Sequence, residues 1–217
     1  MATETKSEQT PFRFQFVGGD LCLDFCNTVG GNRSGIPKEF LHTYNELAHW
    51  AEQAGLASHG AAEALRQKAL LVPVDAAAAL GRAKELREAI YRIFLALAHD
   101  RSPAEHDLAI LNGELARGLN RMRVGRHGKE FSWHWCGDPE QLDHVLAPVA
   151  RSAADLLVSG RGRGHVNACA AHNCGWLFVD TTKNHSRRWC DMRDCGNRAK
   201  VRAHRQRLKK AGDQAPK

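Results

Sequence analysis

Two pairs of cysteines constrain the fold of this 217-residue chain more than any other feature of its sequence. Each pair encloses four residues, as Cys169-x4-Cys174 and Cys190-x4-Cys195, and fifteen residues separate the pairs. A structural zinc site needs four ligands that converge on a tetrahedron, and two short cysteine pairs around a strand-sized insert can supply them. We therefore predict one closed, structural zinc ion bound by all four cysteines. Because two-residue spacers are the commoner form, buried thiols and two disulfides are the alternatives.

The opening segment of the chain bears on the state of these cysteines. MATETKSEQT is polar, and no later run approaches the roughly 18 uninterrupted apolar residues of a membrane span. The sequence therefore predicts a soluble, cytoplasmic protein without a membrane partner, in which thiols stay reduced. The other three cysteines lie far from the cluster and are interpreted as core residues. They are Cys22, Cys26 and Cys136.

Charge divides the chain into two unequal parts. Residues 161–217 contain 14 lysines and arginines against 4 acids, whereas residues 1–160 contain 17 against 20. Such an asymmetry predicts an anionic partner for the basic part. We interpret residues 1–160 as one domain and residues 161–217 as a small basic module that contains the cysteine pairs.

Helical patterns dominate the first 160 residues. Thr43 and Glu46 form a capping-box pattern that precedes apolar residues at helical spacing and ends near Gly55. Apolar residues at steps of three and four predict a longer helix from Asp75 to about His99. These patterns predict a mainly α-helical domain.

Two proline-containing segments indicate further helix starts, and a β-hairpin is predicted between them. Ser102-Pro103 and Asp138-Pro139 each place a proline after a capping residue, and the second helix would carry Leu142 and Val145. Apolar and polar residues alternate over residues 122–135 around two glycines, which is typical of a hairpin.

The segment that contains the cysteines predicts a small finger. RGHVNA before Cys169 and GWLFVD after Cys174 are strand-like and flank a tight turn, an arrangement that suggests a zinc knuckle. Every residue from Gly196 to Lys210 is compatible with a helix, so Cys195 would ligate from its first turn. The fold class is therefore mainly α with a small β-hairpin, and with a treble-clef or ribbon-like zinc finger at the carboxy-terminal end.

The terminal helix carries a basic stripe. Steps of four, three and four residues place Arg198, Arg202, Arg205 and Lys209 on one face. Such a row of like charges is best neutralised by phosphates, and arginine can also read guanine edges in the major groove. Basic residues of the preceding loop could clamp the backbone of a nucleic acid. The candidate nucleic-acid-binding residues are Arg187, Arg188, Arg193, Arg198, Lys200, Arg202, Arg205 and Lys209.

Two structural interpretations compete with this one. The helix could be a solvated basic helix, or arginine side chains could form hydrogen bonds with carbonyls near the metal. Val201 and Leu208, on the face opposite the basic stripe, are expected to pack back on the finger against Trp176, Phe178 or Trp189. Arg198 lies three residues after Cys195 and could brace the finger rather than contact a ligand.

The string CDMRDCGNRAK at residues 190–200 resembles the CGNR zinc finger, whose name can be read at 195–198. WLFVD at 176–180, SRRWC at 186–190 and the KVRAHRQR helix are similar to that family too. GGDLCLDFCNTV at 18–29 and YNELAHWAEQAGL at 44–56 resemble the ABATE domain, which accompanies this finger in bacterial proteins described as stress-induced transcription regulators. The resemblance implies a zinc-dependent DNA-binding module attached to a helical sensor domain. Cys26 stands where the family pattern favours an apolar residue such as valine.

A ligand pocket in the helical part is a further hypothesis. Asp24, Asn27 and Thr28 bring polar groups into an apolar stretch near two glycines, and they could bind a small-molecule effector. The alternative is that these side chains satisfy backbone groups at a turn and a helix start.

Three function classes remain at this stage. The first is a transcription regulator whose cationic helix contacts double-stranded DNA. The second is a zinc-stapled module that binds RNA or a protein, which exposed tryptophans at the finger would favour. An enzyme is disfavoured because four thiolates leave zinc no open position for water. A homodimer would suit a duplex reader, although the pattern does not require one.

Overall fold

The computed structural model describes residues 12–33, 35–136 and 141–212, with the side chains of all these residues except 127 and 209–212. The fold class is the predicted one, since seven α-helices and three short antiparallel hairpins are described. The helices are α1 (Leu21–Cys26), α2 (Tyr44–Gln53), α3 (His59–Leu71), α4 (Pro73–Ala98), α5 (Glu105–Leu119), α6 (Leu146–Val158) and α7 (Asn197–Gly212). The strands are β1 (Val29–Gly31), β2 (Pro37–Glu39), β3 (Met122–His127), β4 (Glu130–Trp135), β5 (Val166–Ala168) and β6 (Leu177–Val179).

Helix α4 is the centre of the helical part. It is the longest described helix, and α1, α2, α3, α5 and α6 all pack against it. Its apolar stripe includes Leu86, Ile90 and Phe94, which are completely buried. The three- and four-residue periodicity therefore predicted both this helix and its core face correctly.

The amino-terminal end of α2 confirms the predicted capping box. The Glu46 carboxylate accepts hydrogen bonds from the Thr43 backbone N–H, at 2.6 Å, and from the Thr43 hydroxyl. Gly55 follows the helix with φ +74°, a left-handed conformation that suits glycine. Trp50 of this helix is fully buried and its ring lies 4.7 Å from that of Phe25. Trp50 is therefore a core residue.

Two predicted helix starts differ from the structure. Helix α5 begins at Glu105 with extended Ala104 as its N-cap, so Ser102 does not cap it. Helix α6 begins at Leu146, and residues 142–145 form a turn before it. The Leu142 carbonyl accepts a hydrogen bond of 2.7 Å from the Tyr44 hydroxyl, which supplies the partner that a longer helix would have given it. The Asp138-Pro139 start lies outside the described residues.

The predicted hairpin is formed by β3 and β4, in a register that opposes Val124 to Trp133. One face of the hairpin is unusual because its large apolar side chains are largely exposed. These side chains are Val124, Phe131, Trp133 and Trp135. The adjacent Cys136 is exposed, so its interpretation as a core residue was wrong, whereas Cys22 and Cys26 are fully buried as predicted.

The hairpin of β5 and β6 joins the finger to the helical part through a shared core. Val166, Leu177 and Val179 are buried in the same hydrophobic cluster as α4. The Asn27 side chain donates to the Leu177 carbonyl and accepts from its N–H, both at 3.0 Å. Val179 N–H donates to the Gly18 carbonyl at 2.7 Å. The domain boundary at residue 160 stays a prediction. Buried side chains and hydrogen bonds join the finger to the helical part whichever residue is taken as the boundary.

Candidate metal centre and nucleic-acid surface

The four predicted ligands converge in the structure. The sulfur atoms of Cys169, Cys174, Cys190 and Cys195 all lie within 4.8 Å of one another. The Cys174–Cys190 and Cys190–Cys195 sulfur distances are 3.7 and 3.6 Å. Zinc–sulfur bonds of about 2.3 Å in a tetrahedron require sulfur atoms about 3.8 Å apart. The site therefore fits one structural zinc ion, and its four thiolates leave no open position for a substrate.

Local backbone structure brings the first pair of ligands together. Cys169 directly follows β5, and its N–H donates to the Trp176 carbonyl at 2.8 Å. The Cys174 N–H donates to the Ala171 carbonyl at 3.1 Å, which closes the knuckle. The Cys190 N–H then donates to the Cys169 sulfur at 3.4 Å. Hydrogen bonds therefore link the knuckle to the second ligand pair independently of a metal ion.

The fourth ligand belongs to an irregular turn. Residues Met192–Gly196 form a π-helical turn that continues into α7, and Cys195 is buried within it. Asp191 caps this turn by accepting a 2.6 Å hydrogen bond from the Arg193 N–H. Because the turn and α7 are continuous, the metal site fixes where the terminal helix leaves the finger.

The crowding of the thiols explains why a cation is needed. Hydrogen bonds from Cys174 and Cys190 lower the pKa of the Cys169 thiol to about 2, which favours its thiolate. That neighbouring thiolate raises the pKa of Cys174 to about 12 and also raises the pKa of Cys190. Four adjacent thiolates repel one another unless a divalent ion compensates their charge, so metal binding and deprotonation are coupled here.

Arg198 lies against the metal ligands. Its guanidinium donates to the Cys195 sulfur at 3.1 Å and lies 3.2 Å from the Asp194 carboxylate. The hydrogen bond to Cys195 raises the pKa of Arg198. The geometry therefore favours the bracing role over the predicted nucleic-acid contact.

Arg187 is used inside the finger. Its guanidinium donates to the carbonyls of Trp189, Val179 and Val17 at 3.0, 3.4 and 3.2 Å, and also to the carbonyl of Cys190. It also lies 4.4 Å from the centre of the Phe178 ring. These contacts engage four of the five N–H groups of the guanidinium, so the geometry favours a structural role for Arg187 over the predicted nucleic-acid contact.

Five other candidate residues are open to solvent. No carboxylate among the described residues forms an ion pair with any of five exposed cations, which are Arg188, Arg193, Lys200, Arg202 and Arg205. Arg202 and Arg205 belong to α7, in which every side chain from Lys200 to Leu208 is exposed. The Lys209 side chain lies outside the described part.

The predicted packing of α7 against the finger was wrong. Val201 is 50% exposed and Leu208 is 60% exposed, and among the described helices and strands α7 contacts mainly the π-helical turn that precedes it. The aromatic residues that were expected to receive them are used elsewhere, since Phe178 is buried and Trp176 donates to the Val29 carbonyl at 2.9 Å. Helix α7 therefore extends away from the finger.

The predicted ligand pocket is filled by internal hydrogen bonds. Asp24 accepts from the Gly18 N–H at 2.7 Å, and burial raises its pKa to about 6. Thr28 donates to the Phe25 carbonyl at 2.7 Å and accepts from Arg87, while Asn27 pairs with β6. Asp24 and Thr28 therefore satisfy local backbone groups, as in the alternative interpretation, whereas Asn27 joins the helical part to the finger.

Comparison with family models accounts for most of the chain. Residues 19–160 match ABATE, a family described as "Putative stress-induced transcription regulator". The chain belongs to the ABATE family. In this ABATE protein, residues 165–208 match the CGNR zinc finger, so both resemblances are confirmed. A search of curated proteins found no match.

The ABATE chain has two features that sequence reasoning missed. The exposed aromatic face of the β3–β4 hairpin follows from the alternating pattern, but the pattern does not reveal which face lacks a covering element. The pairing of Asn27 with Leu177 joins residues 150 positions apart, and no local signal indicates it.

None of the described helices is long and apolar enough to cross a membrane.

Proposed function

We propose that this ABATE protein is a zinc-dependent transcription regulator that binds double-stranded DNA through α7. The exposure of α7 carries the proposal. A helix whose side chains from Lys200 to Leu208 are all open, and which carries unpaired arginines, has the charge and the access that phosphate contacts need. Its 16 residues span about 24 Å at 1.5 Å per residue, and an α-helix fits the major groove.

The metal centre would hold this helix in position. Cys195 ligates from the turn that leads into α7, and Arg198 ties the first turn of the helix to that ligand. Zinc loss would free the start of α7 and would reduce DNA affinity even though no zinc ligand contacts DNA. The expected DNA contacts are Arg188, Arg193, Lys200, Arg202, Arg205 and Lys209.

The aromatic residues of the finger support duplex DNA over a single strand. Phe178 is buried, and Trp176 and Trp189 are half-buried, so they offer no open row of stacking surfaces. A module that binds RNA or another protein is the second candidate. Its supporting observation is the exposed aromatic face of β3–β4, which includes Phe131 and Trp133.

Fluorescence anisotropy of the zinc-loaded chain with a duplex of about 30 base pairs, across a salt series, tests the proposal. We expect preferential binding to the duplex over matched single-stranded DNA and RNA. Arg202→Ala with Arg205→Ala should weaken binding to all sequences and should lower the salt slope by about 2.

A control variant removes two positive charges elsewhere. Arg101→Ala with Lys129→Ala changes two exposed cations of the helical part and should leave the salt slope unchanged. Equal effects of the two double variants would show that only net charge matters, and that α7 is not the contact surface. Tighter binding to RNA than to the duplex would favour the second candidate.

We also propose that a small-molecule effector and self-association regulate DNA binding by this protein. A sensor domain that shares its core with the finger can transmit a change in its own structure to α7. A homodimer would place two copies of α7 on neighbouring half-sites of a duplex. Sedimentation of the protein with and without duplex DNA gives the subunit number directly.

A further inference from the structure

A surface cleft in the helical part lies between the β1–β2 hairpin and α4. Its volume is about 500 Å³, which is within the usual range for small-molecule sites. Apolar side chains and two arginine–glutamate pairs line it. The residues used below are Val29, Arg33, Arg87, Glu88, Tyr91 and Leu95.

Two nearly buried guanidinium groups form the charged wall of this cleft. The side chains of Arg87 and Arg33 are only 3% and 10% exposed. Arg87 forms two hydrogen bonds of 2.7 Å with the Glu39 carboxylate. Arg33 stacks on Tyr91, with 3.7 Å between its guanidinium carbon and the ring centre, and shares its carboxylate partner Glu88 with Arg87.

Glu88 connects the two arginines. One of its carboxylate oxygens accepts from Arg33 at 2.6 Å, and the other accepts from Arg87 at 3.0 Å. Its side chain is 35% exposed, so it can rotate into solvent, whereas the arginines cannot. Without Glu88, two buried positive charges would face the cleft with only Glu39 to compensate them. A cleft in that state favours a monoanion.

An unpaired hydrogen-bond donor provides an independent indication of a ligand. No described residue accepts a hydrogen bond from Nε of Arg33, although this atom is buried. Its Nη2 donates to the Cys26 carbonyl, which fixes the orientation of the guanidinium. A buried donor without a partner is costly, and a planar carboxylate can pair with guanidinium groups through two oxygens.

We propose that this cleft binds a small monocarboxylate with an apolar group, whose carboxylate replaces that of Glu88 between Arg33 and Arg87. The apolar group lies against Val29 and Leu95. Glu88 occupies the site as an internal ligand when no effector is bound. None of the residues singled out as a pocket from the sequence lines this cleft, but Thr28 accepts from Arg87 at its edge, at 3.2 Å.

The position of the cleft links it to the finger. Gly175 follows the zinc ligand Cys174 and packs against Arg33 so closely that an added Cβ would lie 3.1 Å from Arg33 Cγ. Trp176 also donates to the carbonyl of Val29 in the cleft wall. A ligand that moves Arg33 therefore moves the zinc knuckle. This coupling, unlike the binding site itself, rests on the proposed DNA-binding function.

Calorimetry and thermal unfolding of the zinc-loaded chain without DNA test the site. The probes are acetate, isobutyrate, benzoate, the uncharged analogue benzamide and inorganic phosphate, each at constant ionic strength with chloride as the balancing anion. We expect isobutyrate or benzoate to bind with a stoichiometry of one and to raise the Tm. Benzamide should do neither. No binding by any carboxylate, or binding by phosphate alone, would overturn the proposal.

Three variants locate the site. Glu88→Gln removes the competing carboxylate and should bind the carboxylate about tenfold more tightly, whereas Arg33→Gln should bind it about tenfold more weakly. Glu85→Gln, on an exposed position of the same helix, is the charge-matched control and should bind like the unmodified chain. Equal affinities of the Glu88 and Glu85 variants would refute the internal-ligand role, even if Arg33→Gln fails to fold.

A last experiment tests the coupling between the cleft and the finger separately from carboxylate binding. Duplex affinity is measured with and without the carboxylate, for the unmodified chain and for Glu88→Gln. Carboxylate binding with unchanged duplex affinity would leave the site standing and refute the coupling. Absence of duplex binding under all conditions would refute the proposed function without affecting the calorimetric result.

Discussion

Individual side chains in this ABATE protein act mainly on backbone groups. Arg187, Asn27 and Asp24 each form hydrogen bonds to N–H or carbonyl groups at the junction between finger and helical part. Buried backbone groups are expensive to leave unpaired, so polar residues at such a junction act as structural links. Predictions for single substitutions follow for a zinc ligand and for Asp24.

Replacement of one zinc ligand should remove the metal. In Cys190→Ser the site keeps three thiolates and a hydroxyl, which is a poor zinc ligand. We expect zinc content to fall well below one ion per chain and duplex affinity to fall with it, measured by metal analysis and anisotropy. Cys136→Ser, at an exposed cysteine outside the cluster, is the control. Full duplex affinity of Cys190→Ser in the presence of a chelator would contradict the role of zinc.

Asp24 should make the protein less stable as pH rises. Burial raises its pKa from 3.8 to about 6 in the folded protein, so folding takes up a proton between about pH 4 and pH 6. Stability from this group is complete below pH 4 and is lost as pH rises through 6. Asp24→Asn is neutral throughout and should be more stable at pH 7 by about 2 to 3 kcal/mol.

Urea unfolding at pH 4 and pH 7 measures this effect. The stability advantage of Asp24→Asn should nearly vanish at pH 4. Both proteins have the same zinc site, so protonation of its cysteines affects both equally and does not contribute to the difference. Asp75→Asn, at an exposed position, is the control. If Asp24→Asn and the unmodified protein differed in free energy of unfolding by the same amount at both pH values, the difference would not come from desolvation of the Asp24 carboxylate.

Among the elements, α4 and α7 are opposites. Five other helices pack against α4, whereas every side chain of α7 from Lys200 to Leu208 is exposed. Helices of about 15 residues are marginal in water without tertiary contacts. The two helices therefore derive their order from different sources, which are the core for α4 and the metal-binding turn for α7.

A pair of leucine substitutions measures this contrast. Leu86→Ala in α4 removes a fully buried side chain and should lower the free energy of unfolding by about 2 to 5 kcal/mol. Leu208→Ala in α7 should change it by less than about 0.5 kcal/mol, because that side chain is largely exposed. Urea unfolding of both variants gives the values. A large loss for Leu208→Ala would mean that α7 packs on the body after all.

For the whole molecule, the shared core predicts that metal removal affects both parts. Val166 and Leu177 of the finger are buried beside α4, so unfolding of the finger would expose the helical core. We expect chelation to lower the Tm of the helical circular dichroism signal of the full chain. The Cys136→Ser protein should respond like the unmodified one. An unchanged helical Tm after complete zinc removal would show that the helical part is autonomous.

Local patterns predicted more of this molecule than long-range ones. The α4 periodicity, the Thr43 capping box and the cysteine pairs involve residues close in sequence, and the structure has all three. The burial of Val201 was predicted wrongly because an apolar residue on a helix does not reveal whether a partner element exists. The cleft beside Arg33 was missed since its walls come from segments more than 50 residues apart.

The contacts of Arg187 have a consequence for the order of folding. Its guanidinium closes on the carbonyl of Val17, which is synthesised 170 residues earlier. Closing so long a loop is slow, because its entropic cost is met before the contact contributes any stability. During translation the Val17 carbonyl therefore stays without this donor until the finger has left the ribosome. A late step of folding would join the Val17 segment to the finger, with α7 projecting from the completed junction.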